Sequence, residues 1–455
     1  MVSYLAIPVV IATGYSIVKK YNTQAALFAA GIIMMMIGAM NGNVDFLPKN
    51  TASSGAVVFD FFLVIKALSS STLANLGLII MAVGGFSKYM GHIGAANAMV
   101  QIATRPLSVF KSPYVVLALT YILGQILNIF IPSAVGLAML LLVALYPVLV
   151  RIGCTPASTA AVLATTACLD LGPGSGNSNR AAEVIGIDAA NYFAANQMII
   201  APVVMIVIAV LHFVCQRYFD KKDAEAGIQY DELQVTSDSE ERKAPLWFAL
   251  LPVTPLAILL LFSDLTDLNI KVDVVTAMFF SLFVAMVADM IVSKDIRAVA
   301  ASLKVYLEGM GNVFASVVSL IIAANTFVNG LKAIGFIDTL LGAGTGLGFG
   351  YMAMLVVLVT IIGLTALLSG SGNAAFFSFS PLAPEVATTV GVSTAALALP
   401  MQLSAGIFRS FSPVAGVVIA CAGAANVSPI TVAKRAAIPM VGGLITLLIM
   451  SAITL

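Results

Sequence analysis

Charge is the scarcest property of this chain. Of its 455 residues only 9% are Asp, Glu, Lys or Arg, where soluble domains carry roughly 25%. Too few polar residues are present to cover a water-facing surface, which excludes a soluble globular fold. The acids and bases nearly cancel, 22 Lys and Arg against 21 Asp and Glu. A net charge of +1 leaves no basic footprint for nucleic acid. The only histidines are His92 and His212, and the four cysteines (Cys154, Cys168, Cys215, Cys421) form no CxxC or Cys/His pairing. No zinc site is expected, and the cysteines read as space fillers in apolar stretches. No nucleophile–base set, haem motif or nucleotide motif appears, so the sequence does not read as an enzyme and implies no organic cofactor.

What is present in quantity is apolar: 60% hydrophobic residues and a mean hydropathy of +1.04. A helix needs about 20 mostly apolar residues to cross a bilayer. Such spans are expected near 2–18, 24–41, 73–90, 155–180, 190–215, 247–263, 273–293, 308–330, 393–422 and 436–454. The first has no basic n-region or clear cleavage site and reads as a membrane helix. Two further apolar segments, 113–150 and 350–386, are interrupted by "IPSAVG" (131–136) and "SGSGN" (369–373). Their short arms suggest re-entrant hairpins. "IGAANAMVQIATRPL" and "IGFIDTLLGAGTGLG" read as interfacial stretches. The expected fold is an all-α polytopic membrane protein with about ten transmembrane helices, two re-entrant hairpins and broken helices.

Lysine and arginine placement sets orientation. Lys19/Lys20, Arg105/Lys111, Arg151, Lys294/Arg297/Lys304 and Lys434/Arg435 fall on one side of this arrangement. That side is expected to be cytoplasmic, with both termini periplasmic. The charged segment 217–245 joins them there and reads as a solvated cytoplasmic linker.

The linker nearly bisects the chain, and the two sides correspond. Phe86, Ile93 and Gly94 precede Phe327, Ile334 and Gly335 by 241 positions; Ser133 precedes Ser371 by 238. Residues 1–216 (hairpin 113–150, broken helix 155–180) and 246–455 (hairpin 350–386, broken helix 393–422) therefore read as two repeats. Five full spans in each require the second copy to enter the membrane inverted, the organisation of many secondary transporters. A second break follows each hairpin: "LDLGPGSGNSNRA" (169–181) and "SAGIFRSFSPVAG" (404–416). Unwound backbone at membrane depth is tolerated only inside protein or along a watery cavity, and a half-helix N-terminus suits an anion. Each patch taken alone could equally be close helix packing. Four in matched places favour a shared binding surface.

That assigns Ser133, Ser371 and Asn373 at the hairpin tips, Ser175, Asn177 and Ser412 at the breaks, and Arg409 to a substrate anion. Arginine offers a carboxylate two parallel hydrogen bonds; a structural bond from Arg409 to a helix-end carbonyl is the competing reading. Asp170 could carry a coupling proton, help hold sodium, or simply pair with Arg180 or Arg409. The oxygen-rich backbone at Gly172, Gly174, Ser369 and Gly370 could coordinate sodium. Sodium ions or protons are thus the only small ions called for.

The runs "YMGHIGAANAMV" (89–100), "PSAVGLAMLL" (132–141), "QRYFDKK" (216–222), "SGSGNAAFFSF" (369–379) and "FRSFSPVAGVV" (408–418) resemble the DcuC-type anaerobic four-carbon dicarboxylate carriers over nearly the whole chain. The resemblance implies exchange, uptake or efflux of succinate, fumarate or malate across a bacterial inner membrane. It also implies a mobile transport domain moving against a scaffold, and assembly as a homodimer. The first break departs from the family's Thr-Ser-Gly-Asp-like pattern: here it reads "PGSGNSNR", with Asn177 in place of an acid. Another organic anion, or an amino acid, is the alternative substrate, and a channel is the alternative class.

Overall fold

The fold was taken from a computed structural model. It describes the chain except residues 1–4, 20, 43–45, 49–50, 111, 229, 231–243, 263–269, 271, 337–338, 340–349 and 455. Every regular element among the described residues is helical. Eight helices are long and apolar enough to cross a membrane: Thr23–Met40, Pro113–Phe130, Ala134–Arg151, Ala189–Glu225, Val274–Ser293, Ile296–Ala333, Tyr351–Ser369 and Pro429–Thr454. Two shorter apolar helices, Ala6–Ile17 and Leu246–Leu259, accompany them.

Helix starts follow capping chemistry. Asn22, Ser133, Thr155, Ser175, Asp273, Ser371 and Ser393 each accept a hydrogen bond from a backbone N–H in the turn they open. This satisfies donors that a helix terminus leaves unpaired.

Four elements depart from the sequence reading. The expected span 73–90 is the second half of a continuous helix over 57–92. Asp60, Lys66 and the run Ser69–Thr72 lower its hydropathy and hid the first half. The expected span 308–330 likewise begins at Ile296. The helix starting at Ala189 runs on to Glu225, so the first third of the supposed linker is helical. Asp220 there is buried and bonded to Arg435. Residues 231–243 of the linker, and much of the second interfacial stretch, lie outside the described residues. The hairpin arms Pro113–Phe130 and Ala134–Arg151, at 18 residues each, rise about 27 Å at 1.5 Å per residue. They match the length of a span rather than falling short of it.

The spacing of elements recurs. Pro113 and Tyr351, Ala134 and Gly372, and Pro156 and Thr394 open helices 238 positions apart. Both long helices, 57–92 and Ile296–Ala333, carry a one-turn π-bulge, at Leu73–Gly77 and Phe314–Val318. Their starts are 241 apart. The two long helices cross each other through glycine: a Cβ on Gly309 would lie 2.8 Å from Gly85 Cα. Each hairpin packs beside a broken span. Tyr351–Ser369 lies along Thr394–Arg409, and Ala134–Arg151 touches both Pro156–Ala164 and Gly416–Ala424.

Candidate functional site

Both expected broken spans are broken in the structure. The first runs Pro156–Ala164, unwinds, and resumes as Gly176–Ile185. The second runs Thr394–Arg409 and resumes as Gly416–Ala424. The hairpin tips seat on these gaps. A Cβ on Gly174 would be 3.3 Å from Ile129 O, and one on Gly370 would be 2.7 Å from Val414 O. The four interruptions therefore come together in one region.

Asp170 is the centre of the first gap. Its φ of 48° is a left-handed conformation uncommon outside glycine, and its surroundings hold it there. Asn177 Nδ2 donates to Asp170 Oδ2 at 2.9 Å, and Ser178 Oγ donates to its carbonyl at 2.8 Å. Gln402 Nε2, from the other half of the chain, donates to the carbonyls of Leu169 and Asp170, each at 3.1 Å. Gln197 extends the network: its Nε2 donates to Ser178 Oγ and Gln402 Oε1, and its Oε1 accepts from Gly172 N. Tyr192 OH also donates to Gln402 Oε1. Gly406 is where the two broken spans approach most tightly in this contact, since a Cβ there would lie 2.3 Å from Cys168 O.

Arg409 belongs to this network. Its Nη2 donates to Ala167 O at 2.7 Å, and its Nη1 stands 3.5 Å from Asp170 Oδ2. Arg409 thus holds a backbone carbonyl of the first gap and stands beside the Asp170 carboxylate. Arg409 Nε and Asn177 Oδ1 are buried without hydrogen-bond partners, one unused donor and one unused acceptor beside the same carboxylate. Arg180 is pinned elsewhere. Its Nε donates to Ser380 Oγ, Nη1 to Glu183 Oε2 and Nη2 to Asn325 Oδ1, at 3.0, 2.6 and 2.8 Å.

The serines named from sequence fall into two groups. Ser175 and Ser371 act as caps, accepting from Ser178 N and Ala374 N. Ser369 Oγ donates to Thr365 O, and Ser412 Oγ donates to Leu367 O across to the second hairpin. Ser133 also caps its helix through Gly136 N, but it opens onto a cavity of ≈ 540 Å³. Asn373, Gly174 and Gly176 share that cavity, and the facing wall comes from the two long helices. Arg409 is not among its lining residues. Lys88 is. Sequence reasoning passed over Lys88, Gln197 and Gln402, although an ionisable or amide side chain inside an apolar span is itself a signal.

Hairpins and broken spans gathered around one cavity among long apolar helices are the architecture of a multi-pass membrane transporter. Solved transporters share the fold. Alcanivorax borkumensis YdaH aligns with a TM-score of 0.66 at 16% identity, over 95% of this chain and 98% of that one. Neisseria gonorrhoeae MtrF, described as one of a class of antimetabolite efflux pumps, aligns at 0.64 and 14%, over 98% and 97%. The chain belongs to the C4-dicarboxylate anaerobic carrier family, DcuC, whose family model matches residues 1–455. Among relatives, the anaerobic C4-dicarboxylate transporter DcuC of Escherichia coli is 33% identical over 98% of this chain and 95% of its own. A probable transporter of the same name from Vibrio cholerae is 33% identical over 98% and 96%.

Proposed function

We propose that this protein carries four-carbon dicarboxylates such as succinate, fumarate and malate across the bacterial inner membrane by alternating access. The observation that carries the reading is the cavity between two kinds of element. One wall is made of hairpin tips and a broken span, through Ser133, Asn373, Gly174 and Gly176. The other is made of the two long crossing helices. A substrate held there would travel when the first group shifts against the second. The volume suits a small organic ion, and the N-terminal end of Ala134–Arg151 at Ser133 presents the positive end of a helix dipole to it.

Within this reading Ser133 and Asn373 contact substrate. Ser175, Asn177, Ser371 and Ser412 shape the turns that present it, and Arg409 fixes the two broken spans to each other. Asp170 with Gly172 and Gly174, or the second tip at Ser369 and Gly370, would hold the coupling proton or sodium ion. The unpartnered Asn177 Oδ1 beside Asp170 supports the first, because hard cations take oxygen ligands. The recurrence of helix starts 238 positions apart supports two repeats, inverted if each crosses an odd number of times. Both termini would then be periplasmic, and a homodimer is the expected assembly. Another organic anion or an amino acid is the second reading for the substrate.

The test is ligand-dependent thermal stabilisation of purified protein by succinate, fumarate, malate, citrate and aspartate, with and without sodium, at two pH values. It is joined to counterflow of labelled succinate in proteoliposomes. Stabilisation by the four-carbon diacids with saturable counterflow is expected. Folded protein that responds only to aspartate or citrate would replace the substrate, and conductance far above carrier turnover would replace the class.

A further inference from the structure

Lys88 is the one cation among the residues lining the cavity. It lies on the long helix 57–92, and its Nζ stands 3.0 Å from Glu308 Oε2 on the other long helix. Glu308 does not line the cavity. An ion pair beside this cavity calls for a reason, because ionisable side chains among apolar helices generally serve a pathway or a partner. Holding the two helices together is not that reason. Gly309 sits so close to Gly85 that a Cβ would lie 2.8 Å from the Gly85 Cα and 3.0 Å from Lys88 Cβ. Backbone contact already fixes the crossing.

The pair is also half open. The side chains of Lys88 and Glu308 keep 37% and 50% of their exposure, so the ammonium can change partners without leaving its position. Across the cavity stand Ser133 and Gly136, at the capped N-terminal turn of Ala134–Arg151, and Asn373 on the opposite hairpin. A linear diacid presents two anionic ends, and this cavity presents two places suited to an anion on facing walls. We propose that Lys88 binds one carboxylate of the substrate, and that Glu308 is the placeholder it leaves when substrate arrives. This rests on the dicarboxylate reading above and names the group that distinguishes a diacid from a monoacid. In the empty site Glu308 neutralises the lysine. In the loaded site the second carboxylate takes its place, while the first stays at the hairpin turn.

The experiment uses the full-length protein in detergent, titrated with succinate and with its mono-amide, succinamate, and read by binding and by thermal stabilisation. Wild type should prefer succinate. Lys88→Met should weaken succinate by about tenfold or more and erase that preference, while Lys88→Arg keeps it. Glu308→Gln should bind succinate more tightly, by about threefold, because a competitor for the ammonium is gone. Unchanged succinate binding and preference in Lys88→Met would overturn the proposal. If that variant does not fold, Glu308→Gln decides alone, and unchanged or weaker binding there overturns it. Wild-type protein that binds no four-carbon diacid removes the dicarboxylate reading itself, whereas normal wild-type binding with an unaltered Lys88→Met removes only the inference.

Discussion

Ser133 and Ser371 do one job in two places. Each caps the returning arm of a hairpin through the N–H three residues on, at 3.1 Å in both cases. Replacing either by alanine should cost about 1 kcal/mol of stability, measured as a lower unfolding temperature in detergent. Ser133 lines the cavity and Ser371 does not, so only Ser133→Ala should also weaken succinate binding. Gly406 carries a different burden. Its missing Cβ admits the Cys168 carbonyl, and Gly406→Ala should destabilise by about 1–3 kcal/mol or more, the usual cost of forcing atoms into a packed site. Gly423, inside the helix Gly416–Ala424, has nothing within 4 Å of its Cβ position, and Gly423→Ala should raise stability slightly, by about 0.5–1 kcal/mol, in the same melting assay. These small residues were legible in the sequence because glycine, serine and asparagine stand out against an apolar background. Which of them would face the cavity was not. Arg409 shows why: an arginine in a broken span suits a carboxylate and a carbonyl equally well. The contact it makes, with the carbonyl of Ala167 242 residues away in the chain, is one that no local pattern announces.

Elements were legible wherever their hydrophobicity was continuous. Thr23–Met40, Val274–Ser293 and the two hairpins fall close to the expected bounds. The helix 57–92 was half hidden because Asp60, Lys66 and the run Ser69–Thr72 interrupt an otherwise apolar first half, so no unbroken apolar stretch marks its start. The charged segment after Gln216 was read as solvated for the same reason. In the structure Asp220 and Asp223 meet Arg435 of Pro429–Thr454, and Asp220 also accepts from Ser158 and Thr155 of the first broken span. Three elements are fastened at one point. The side chains of Arg435 and Asp220 are 3% and 6% exposed, so removing one partner strands a buried charge. Arg435→Ala should cost about 3–5 kcal/mol. Adding Asp220→Asn and Asp223→Asn to it should recover part of that loss, as thermal unfolding of the single and combined variants would register.

For the whole molecule, the decisive quantity is the charge that crosses with each cycle. A dianion moving alone against 100 mV faces about 4.6 kcal/mol, since each elementary charge meets about 2.3. Exchange of one dicarboxylate for another carries no net charge. Exchange of succinate for fumarate in proteoliposomes should therefore be insensitive to an imposed potassium diffusion potential. Net uptake should respond to that potential unless two cations accompany each substrate. A potential-dependent exchange rate would contradict strict one-for-one antiport.

The paired π-bulges have a bearing on how these parts stay aligned. Each adds a residue to one turn of a long helix, and successive residues of an α-helix are set about 100° apart around its axis. Deleting one residue from Leu73–Gly77 would leave the helix intact yet rotate everything beyond it by that angle. Gly84, Gly85 and Lys88 would swing off the crossing and away from Glu308. The same deletion in Phe314–Val318 would spare Glu308 and turn Asn325 away from Arg180. Two single residues thus act as the angular settings of the scaffold, one for the cavity wall and one for the clasp on the first broken span.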